Sequence, residues 1–291
     1  MGIFDGCLLA SDVDGTLIAS GYLPPENVEA IKYFISEGGK FSISTGRSAG
    51  AVNQVFRIFD KKLTSYSIVL NGGMIYDFQG EKSVFDMTVS EKVKEFTKYI
   101  ADTDKSVGIE IHSGGEVYVM NRNSETDLHE EYEELNPYFV SFDEVKDYSW
   151  NKVLMAGFNN SERELRAEKA KNFGLKDNEI LNTCAAILGE DRLYLELLPV
   201  GASKGEALKK LREIYDIKEG GLFAIGDYYN DLSMLAVADI SSATGDAPED
   251  LKQKVNYVSK KCRDGAVADF IEYLKTILEV KIDGRNKKER A

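Results

Sequence analysis

At 291 residues and 43% hydrophobic, the chain is long enough to bury one large core or two modest ones. Its 36 basic against 49 acidic side chains leave a formal charge of -13, which repels nucleic acid and anionic membranes and excludes both as expected partners. Three cysteines (Cys7, Cys184 and Cys262), odd in number and with no CxxC pair, argue against structural disulfides and thiolate zinc and for a reducing compartment.

No cationic stretch precedes an apolar run at the N-terminus, and no apolar run approaches a membrane span, so the expected location is the cytoplasm. Cys7 to Ser11 is a short apolar run ending at carboxylates and reads as a buried strand. Pro24-Pro25 opens a helix with Val28, Ile31, Phe34 and Ile35 on one face, and Gly38-Gly39 closes it. Phe41 to Ser44 is a second predicted strand, closed by Thr45-Gly46-Arg47, and a further helix carries Val52, Val55 and Phe56. Ser67 to Leu70 is a third strand, closed by Asn71-Gly72-Gly73. Strands alternating with helices at this spacing imply a parallel sheet with helices on both faces.

The pattern changes from Met74 onward. Met74 to Asp77 and Ser83 to Asp86 flank a Gln79-Gly80 turn as a hairpin, and Ser90 caps a helix bearing Val93, Phe96 and Ile100. Ile109-Ile111 and Val117-Met120 form a second hairpin around Gly114-Gly115, before a helix with Leu128, Tyr132 and Leu135. Val153 to Phe158 is another strand, and Ser161 with Glu164 reads as the capping box of a helix ending near Gly174. Ala185 to Leu188 and Leu193 to Leu197 are two more strands around Gly189. Alternation then resumes: a helix after Ser203 with Ala207, Leu208, Leu211 and Ile214, a strand Leu222 to Ile225, a short strand Asp239 to Ser242, and a last helix with Val267, Phe270, Ile271 and Leu274. The fold class is therefore α/β, a Rossmann-like doubly wound parallel sheet core with an inserted α+β unit. The expected boundaries are 1–84 and 198–280 for the core, 85–197 for the insertion, and 281–291 for a disordered polar tail.

Three strand ends carry polar groups: Asp12-Val13-Asp14-Gly15-Thr16, Thr45-Gly46-Arg47, and Asp227 with Asn230 and Asp231. Ligands of open parallel sheets bind beyond the carboxyl ends of the strands, so these sets can share one crevice. A carboxylate is ionised at neutral pH and needs no base to act as a nucleophile. Its obstacle is repulsion from a phosphate, about 4 kcal/mol for two unit charges ~4 Å apart at an effective dielectric of ~20. A divalent cation cancels that cost, and an all-oxygen site from Asp12, Asp227 and Asp231 suits magnesium better than zinc. Lys204 opens the helix after Ser203, where its charge adds to a helix N-terminus that already favours anions. Thr45 can donate its hydroxyl to a phosphoryl oxygen, and Gly46 lets the backbone come close. Each piece alone has a plainer reading: a calcium-loop fragment or turn at Asp12-Val13-Asp14-Gly15, a solvated lysine at 204, a helix cap at 226–231. Their occurrence together, in this order, is what points to chemistry.

These residues resemble the motifs of the haloacid dehalogenase superfamily, and within it the Cof-type phosphatases with a type IIB cap. Asp12-Val13-Asp14-Gly15-Thr16-Leu17 is similar to the first motif, Thr45-Gly46-Arg47 to the second, Lys204 to the third and Gly226-Asp227-Tyr228-Tyr229-Asn230-Asp231 to the fourth. Asn71-Gly72-Gly73 resembles the substrate-side loop, and the insertion lies where such a cap does. The resemblance implies a magnesium-dependent phosphatase acting on a small phosphorylated metabolite such as a sugar phosphate or pyridoxal phosphate, as a monomer or weak homodimer. Asp12 would form an aspartyl-phosphate, Asp14 would serve as acid and then base, and Thr45 and Lys204 would hold the phosphoryl group. The implied metal set is Asp12, Asp14 through its carbonyl, Asp227 and Asp231. The implied substrate set is Thr45, Gly46, Arg47, Asn71, Gly72, Lys204 and Asn230. His112, Tyr118, Arg122 and Glu196 are candidates in the cap. One departure is Gly245-Asp246-Ala247, where the family has Asn at the middle position, so Asp246 adds a carboxylate near the site. A phosphomutase using the same aspartyl-phosphate, or a metabolite-binding module without turnover, is compatible with the same residues.

Overall fold

The computed structural model describes residues 2–187 and 190–289, and the side chains of these except 185–187 and 281–289. Two compact units emerge: Met1–Thr45, Phe56–Val84 and Ser203–Ala291 form one, Gly46–Val55 and Phe85–Ala202 the other. The first begins with β1 (Leu8–Ser11), α1 (Pro25–Ser36), β2 (Lys40–Ile43), β3 (Ser67–Val69) and β4 (Met74–Asp77). After β5 (Lys82–Asp86) the second unit runs through α2 (Glu91–Thr103), β6 (Gly108–Ser113), β7 (Glu116–Val119), α3 (Ser124–Glu133) and β8 (Tyr138–Phe139). It continues with α4 (Phe142–Val145), β9 (Trp150–Ala156), α5 (Asn160–Phe173), β10 (Ile180–Ile187) and β11 (Glu190–Leu197). The chain returns to the first unit for α6 (Lys204–Ile214), β12 (Leu222–Gly226), α7 (Leu232–Val237), β13 (Ile240–Ala243), α8 (Glu249–Lys252), β14 (Tyr257–Val258) and α9 (Ala266–Glu289).

The five-stranded sheet of the first unit has the order β14-β13-β12-β1-β2, and its pairs are parallel. A parallel strand covered on both faces needs apolar side chains pointing both ways. β1 meets that requirement with Leu8, Leu9 and Ala10 at 0% exposure, and β12 with Leu222 to Ile225. Helix α1 packs on α9, and α6 on α7. Their inward stripes (Ile31 and Phe34, Phe270 and Leu274, Leu208 and Leu211) are fully buried. β3 departs from the expectation of a third core strand. It heads a separate sheet, β3-β4-β5, and is joined to the main one by the parallel bridge Ser44↔Ile68 and by Ser65 N, which donates to Phe41 O at 2.6 Å.

The second unit is built on a six-stranded sheet, β10-β11-β9-β6-β7-β8, antiparallel but for β7 with β8. One face carries Ile109, Ile111, Val153, Met155, Leu195 and Leu197, packed against Val93, Phe96 and Ile100 of α2 and Ala167 and Ala170 of α5. Period-two alternation puts Glu110, His112, Lys152, Tyr194 and Glu196 on the other face, and these are buried as well.

Several local expectations shift by a residue or a turn type. The segment with Val52, Val55 and Phe56 is a 3₁₀ helix over Ala51–Arg57, not an α-helix. The cap of α5 is Asn159, two residues before Ser161: its side chain accepts from Glu162 N, while the Glu162 carboxylate accepts from Asn159 N at 2.9 Å. Asn is as good an N-cap as Ser, so the pair that can reciprocate first wins. Leu188 and Gly189, expected to close the last hairpin, lie outside the described residues. Helix α9 runs through Glu289, into the stretch expected as a loose tail, of which 290 and 291 lie outside the described residues. Among the described residues no helix is long and apolar enough to cross a membrane.

Candidate active site

Asp12 directly follows β1, and its backbone N–H bonds Ile225 of β12 at 3.0 Å. That pairing brings the ends of two strands, more than two hundred residues apart in sequence, side by side. Asp227 follows β12 at the same end, and Lys204 is the first residue of α6, whose cap Ser203 accepts from Glu206 N at 3.1 Å. The expected capping box of Ser203 with Glu206 is half made, because the Glu206 carboxylate accepts from Lys209 Nζ at 2.6 Å instead.

Lys204 Nζ donates to Asp12 Oδ1 at 2.7 Å and to Asp231 Oδ1 at 2.6 Å, and the lysine is 1% exposed. Asp231 is entirely buried, and its Oδ2 accepts from the backbone N–H groups of Asp227 (2.9 Å) and Tyr228 (3.2 Å). Both of its oxygens are thus occupied in holding Lys204 and the Asp227 loop. Gly226 is required beside it: a Cβ there would sit 2.5 Å from Asp231 Oδ2. Asp12, Asp227 and Asp231 offer oxygens within 4.8 Å of one another. Asp12 Oδ2 is buried and without a partner.

The charge balance is uneven, with one lysine among three carboxylates. Burial, opposed by Lys204 and reinforced by Asp231 and Asp14, lifts the Asp12 carboxyl to about 7. Burial and then repulsion from Asp12 and Asp231 push Asp227 well above the usual carboxylate range. Burial works against the Lys204 charge, but Asp12 and Asp231 outweigh it and hold the ammonium more firmly than usual. A set of hard oxygen donors with surplus negative charge and an unpartnered carboxylate oxygen fits a divalent cation. Asp14 is exposed and its carboxylate lies outside the three-residue cluster, though it stands close enough to Asp12 to act on its ionisation.

The substrate set divides. Thr45 is 2% exposed; its N–H bonds Ile68 O at 2.9 Å, and its carbonyl accepts from Asn71 N at 3.1 Å. Asn71 holds a left-handed backbone (φ 53) between Leu70 (φ 52) and Gly72 (φ 96), a run of strain typical of functional loops. Its side-chain oxygen accepts from Asn230 Nδ2 at 3.3 Å. Gly72 is a packing necessity, since a Cβ would fall 2.1 Å from Ser203 O, against the start of the helix that carries Lys204. Gly46 and Arg47 belong to the second unit, where Gly46 O accepts from Lys152 Nζ at 3.0 Å. Arg47 donates to Gln54 at 3.1 Å and lies over the Tyr132 ring. Asp246, the departure from the family pattern, accepts from Cys262 N at 2.9 Å and faces Lys261 at 3.8 Å, so its charge is partly answered locally.

Among the cap candidates, Glu196 faces Lys152 at 3.6 Å and accepts from Thr183. Tyr118 stacks on Tyr138, and Arg122 pairs with Asp127 and lies over Phe139. His112 is 2% exposed with neither ring nitrogen hydrogen-bonded. Thr16 is not among the residues the sequence singles out for the site, yet its hydroxyl donates to Asp227 Oδ1 at 2.9 Å. The signal available for it was its place one residue after Gly15 in the same turn as both aspartates.

Comparison with known proteins follows the same lines. A family model described as haloacid dehalogenase-like hydrolase matches residues 9–271. The chain is 30% identical over 293 residues to 5-amino-6-(5-phospho-D-ribitylamino)uracil phosphatase YwtE of Bacillus subtilis, covering 91% of this chain and 97% of that one. It is 25% identical to phosphatase YwpJ of the same organism, covering 92% and 99%. Among solved structures, a subclass IIB sugar phosphatase of the superfamily superposes with a TM-score of 0.78 at 20% identity, over 92% of this chain and 98% of the other. A haloacid dehalogenase-like hydrolase from B. subtilis superposes with a TM-score of 0.77 at 23% identity, over 92% and 99%. The chain belongs to the haloacid dehalogenase-like hydrolases of the Cof type, the family its motifs resemble.

Proposed function

We propose that the protein is a magnesium-dependent phosphatase that hydrolyses a small phosphorylated metabolite through an aspartyl-phosphate on Asp12. The observation that carries this reading is the unpartnered, buried Oδ2 of Asp12. Its sister oxygen is held by Lys204, so the carboxylate has one oxygen fixed and one left for chemistry. Asp12 and Asp227 would hold the cation, with the Asp14 carbonyl completing the protein's share and Asp231 acting mainly through Lys204 and the Asp227 loop. When bound, the cation would offset the repulsion between carboxylates and phosphate and polarise the phosphoryl group. Lys204 and the Thr45 hydroxyl would orient the phosphoryl oxygens, and Asn71 with Asn230 would shape the edge of the pocket.

Attack by Asp12 on phosphorus transfers the group to the carboxylate and expels the alcohol oxygen, which Asp14 protonates. Asp14 then takes a proton from the water that cleaves the acyl phosphate, so one group serves as acid and as base. Its exposure suits that exchange with solvent and substrate. The YwtE relative is named for a phosphorylated ribityl compound, and one structural neighbour is described as a sugar phosphatase. Both favour a phosphate ester of a sugar or sugar alcohol, and the three free cysteines favour a reducing, cytoplasmic setting.

Replacing Asp12 by Asn keeps the shape of the side chain and removes the nucleophile. Magnesium-dependent phosphate release from a generic aryl phosphate is expected to fall by at least ~10³-fold, on the scale of losing a catalytic nucleophile. Undiminished turnover in that variant would exclude the mechanism.

A further inference from the structure

The Asp12–Asp227–Asp231 cluster contains six carboxylate oxygens, and their partners differ. Asp231 spends both of its oxygens on Lys204 and on backbone N–H groups. Asp12 gives Oδ1 to Lys204. Asp227 gives Oδ1 to the hydroxyl of Thr16 at 2.9 Å, and Thr16 is fully buried. The backbone of Thr16 is pinned in turn, because its carbonyl accepts from Cys262 Sγ at 3.2 Å. Asp227 Oδ2 lies over Gly15, whose φ is +89; a Cβ at that position would stand 2.5 Å from the oxygen. Gly15 and Thr16 together therefore make a cradle: one supplies room for Oδ2, the other a donor that selects Oδ1.

We infer that Thr16 is a positioning residue for cation binding: its hydroxyl fixes the rotamer of Asp227 so that Oδ2 is the oxygen offered to a divalent cation held in the cluster with Asp12. A carboxylate with two nearly equivalent oxygens can swing about its last torsion, which is broad and two-fold. A hydrogen bond to one oxygen removes that freedom before the cation arrives. Groups that orient a metal ligand in this way are typically worth ~10–100-fold in affinity. The inference rests on the reading of the cluster as a cation site.

The test is direct titration of Mg2+ into the full chain, without substrate, by calorimetry. Thr16→Val is nearly isosteric and lacks the donor; Thr16→Ser keeps it. Wild type and Thr16→Ser are expected to bind alike, and Thr16→Val to bind ~10–100-fold more weakly. The rise in melting temperature on adding Mg2+ should shrink in Thr16→Val alone, since a purely structural role would lower the cation-free melting temperature and leave the Mg2+ increment intact. Thr16→Ala is the second donor-less variant should valine disturb the turn. Equal Mg2+ affinity in wild type and either donor-less variant would overturn the assignment. If wild type itself binds no Mg2+, the cation reading of the cluster fails and this assignment with it.

Discussion

Lys204 illustrates how one side chain can serve both fold and site. Its ammonium is wholly enclosed, and enclosure is tolerable only because Asp12 and Asp231 meet it at 2.7 and 2.6 Å. Removing one partner of a buried ion pair leaves an uncompensated charge, a loss of ~3–5 kcal/mol. Lys204→Met is therefore expected to lower stability by about that amount in a denaturant titration and to abolish phosphate release. A variant that unfolds at the wild-type midpoint would show that the two aspartates find other partners. Gly72 acts on the same lysine from behind. Gly72→Ala would drive a methyl into Ser203 O and strain the left-handed backbone, so it should displace the start of α6. The expected result is a fall in turnover with little change in helix content by circular dichroism; wild-type turnover would contradict it.

At the scale of elements, the sheet of the second unit has a buried polar face as well as a buried apolar one. His129 of α3 sits over that face between Glu110 (2.9 Å) and Glu133 (3.6 Å), with the Tyr194 ring beside it and Arg47 and Lys152 acting on Glu133. Burial alone would pull the His129 imidazolium down, but the two glutamates outweigh it and lift it to about 10. Burial raises Glu133 in the same manner, yet His129, Arg47 and Lys152 bring it down to about 2. A raised histidine contributes stability that is whole below its unfolded pKa of 6.5 and drains away as pH climbs toward 10. A depressed glutamate contributes stability that is present above 4.5 and lost as pH falls toward 2. The second unit should thus be most stable between about 4.5 and 6.5. His129→Gln should remove the alkaline fall from a pH series of thermal melts. A wild-type chain whose stability does not decline between neutral pH and 10 would sink this account of the cluster.

Taken as a whole molecule, much of the first unit was legible from composition and punctuation. Cys7–Ser11 and Leu222–Ile225 are apolar on both faces and end at aspartates, which is what a central parallel strand beneath a site requires. Asp12, Lys204 and Asp227 could be named because each follows such a strand or opens a helix, and the fold brings them to one place. What escaped depends on contacts between distant segments. The Thr16 bond to Asp227 crosses 211 residues. The double engagement of Asp231 needs both α6 and the Asp227 loop in position. The answer of Cys262 N to the Asp246 carboxylate joins two loops that no periodicity connects. The 3₁₀ turn at Ala51–Arg57 was missed because Val52, Val55 and Phe56 fit a three-residue and a 3.6-residue repeat equally well. The buried polar face of the second unit was also hidden: alternation along β6, β9 and β11 is the pattern of a strand half exposed to solvent.

Covalent capture of the phosphoryl group tests the central claim most directly. Asp14→Asn should still accept a phosphoryl group from an aryl phosphate, whose leaving phenolate needs no proton, but should release it slowly for want of a base. Acid quenching after a single turnover with labelled aryl phosphate, followed by peptide mapping, should place the label on Asp12. Label on any other residue, or rapid steady turnover of Asp14→Asn with no labelled protein, would contradict it.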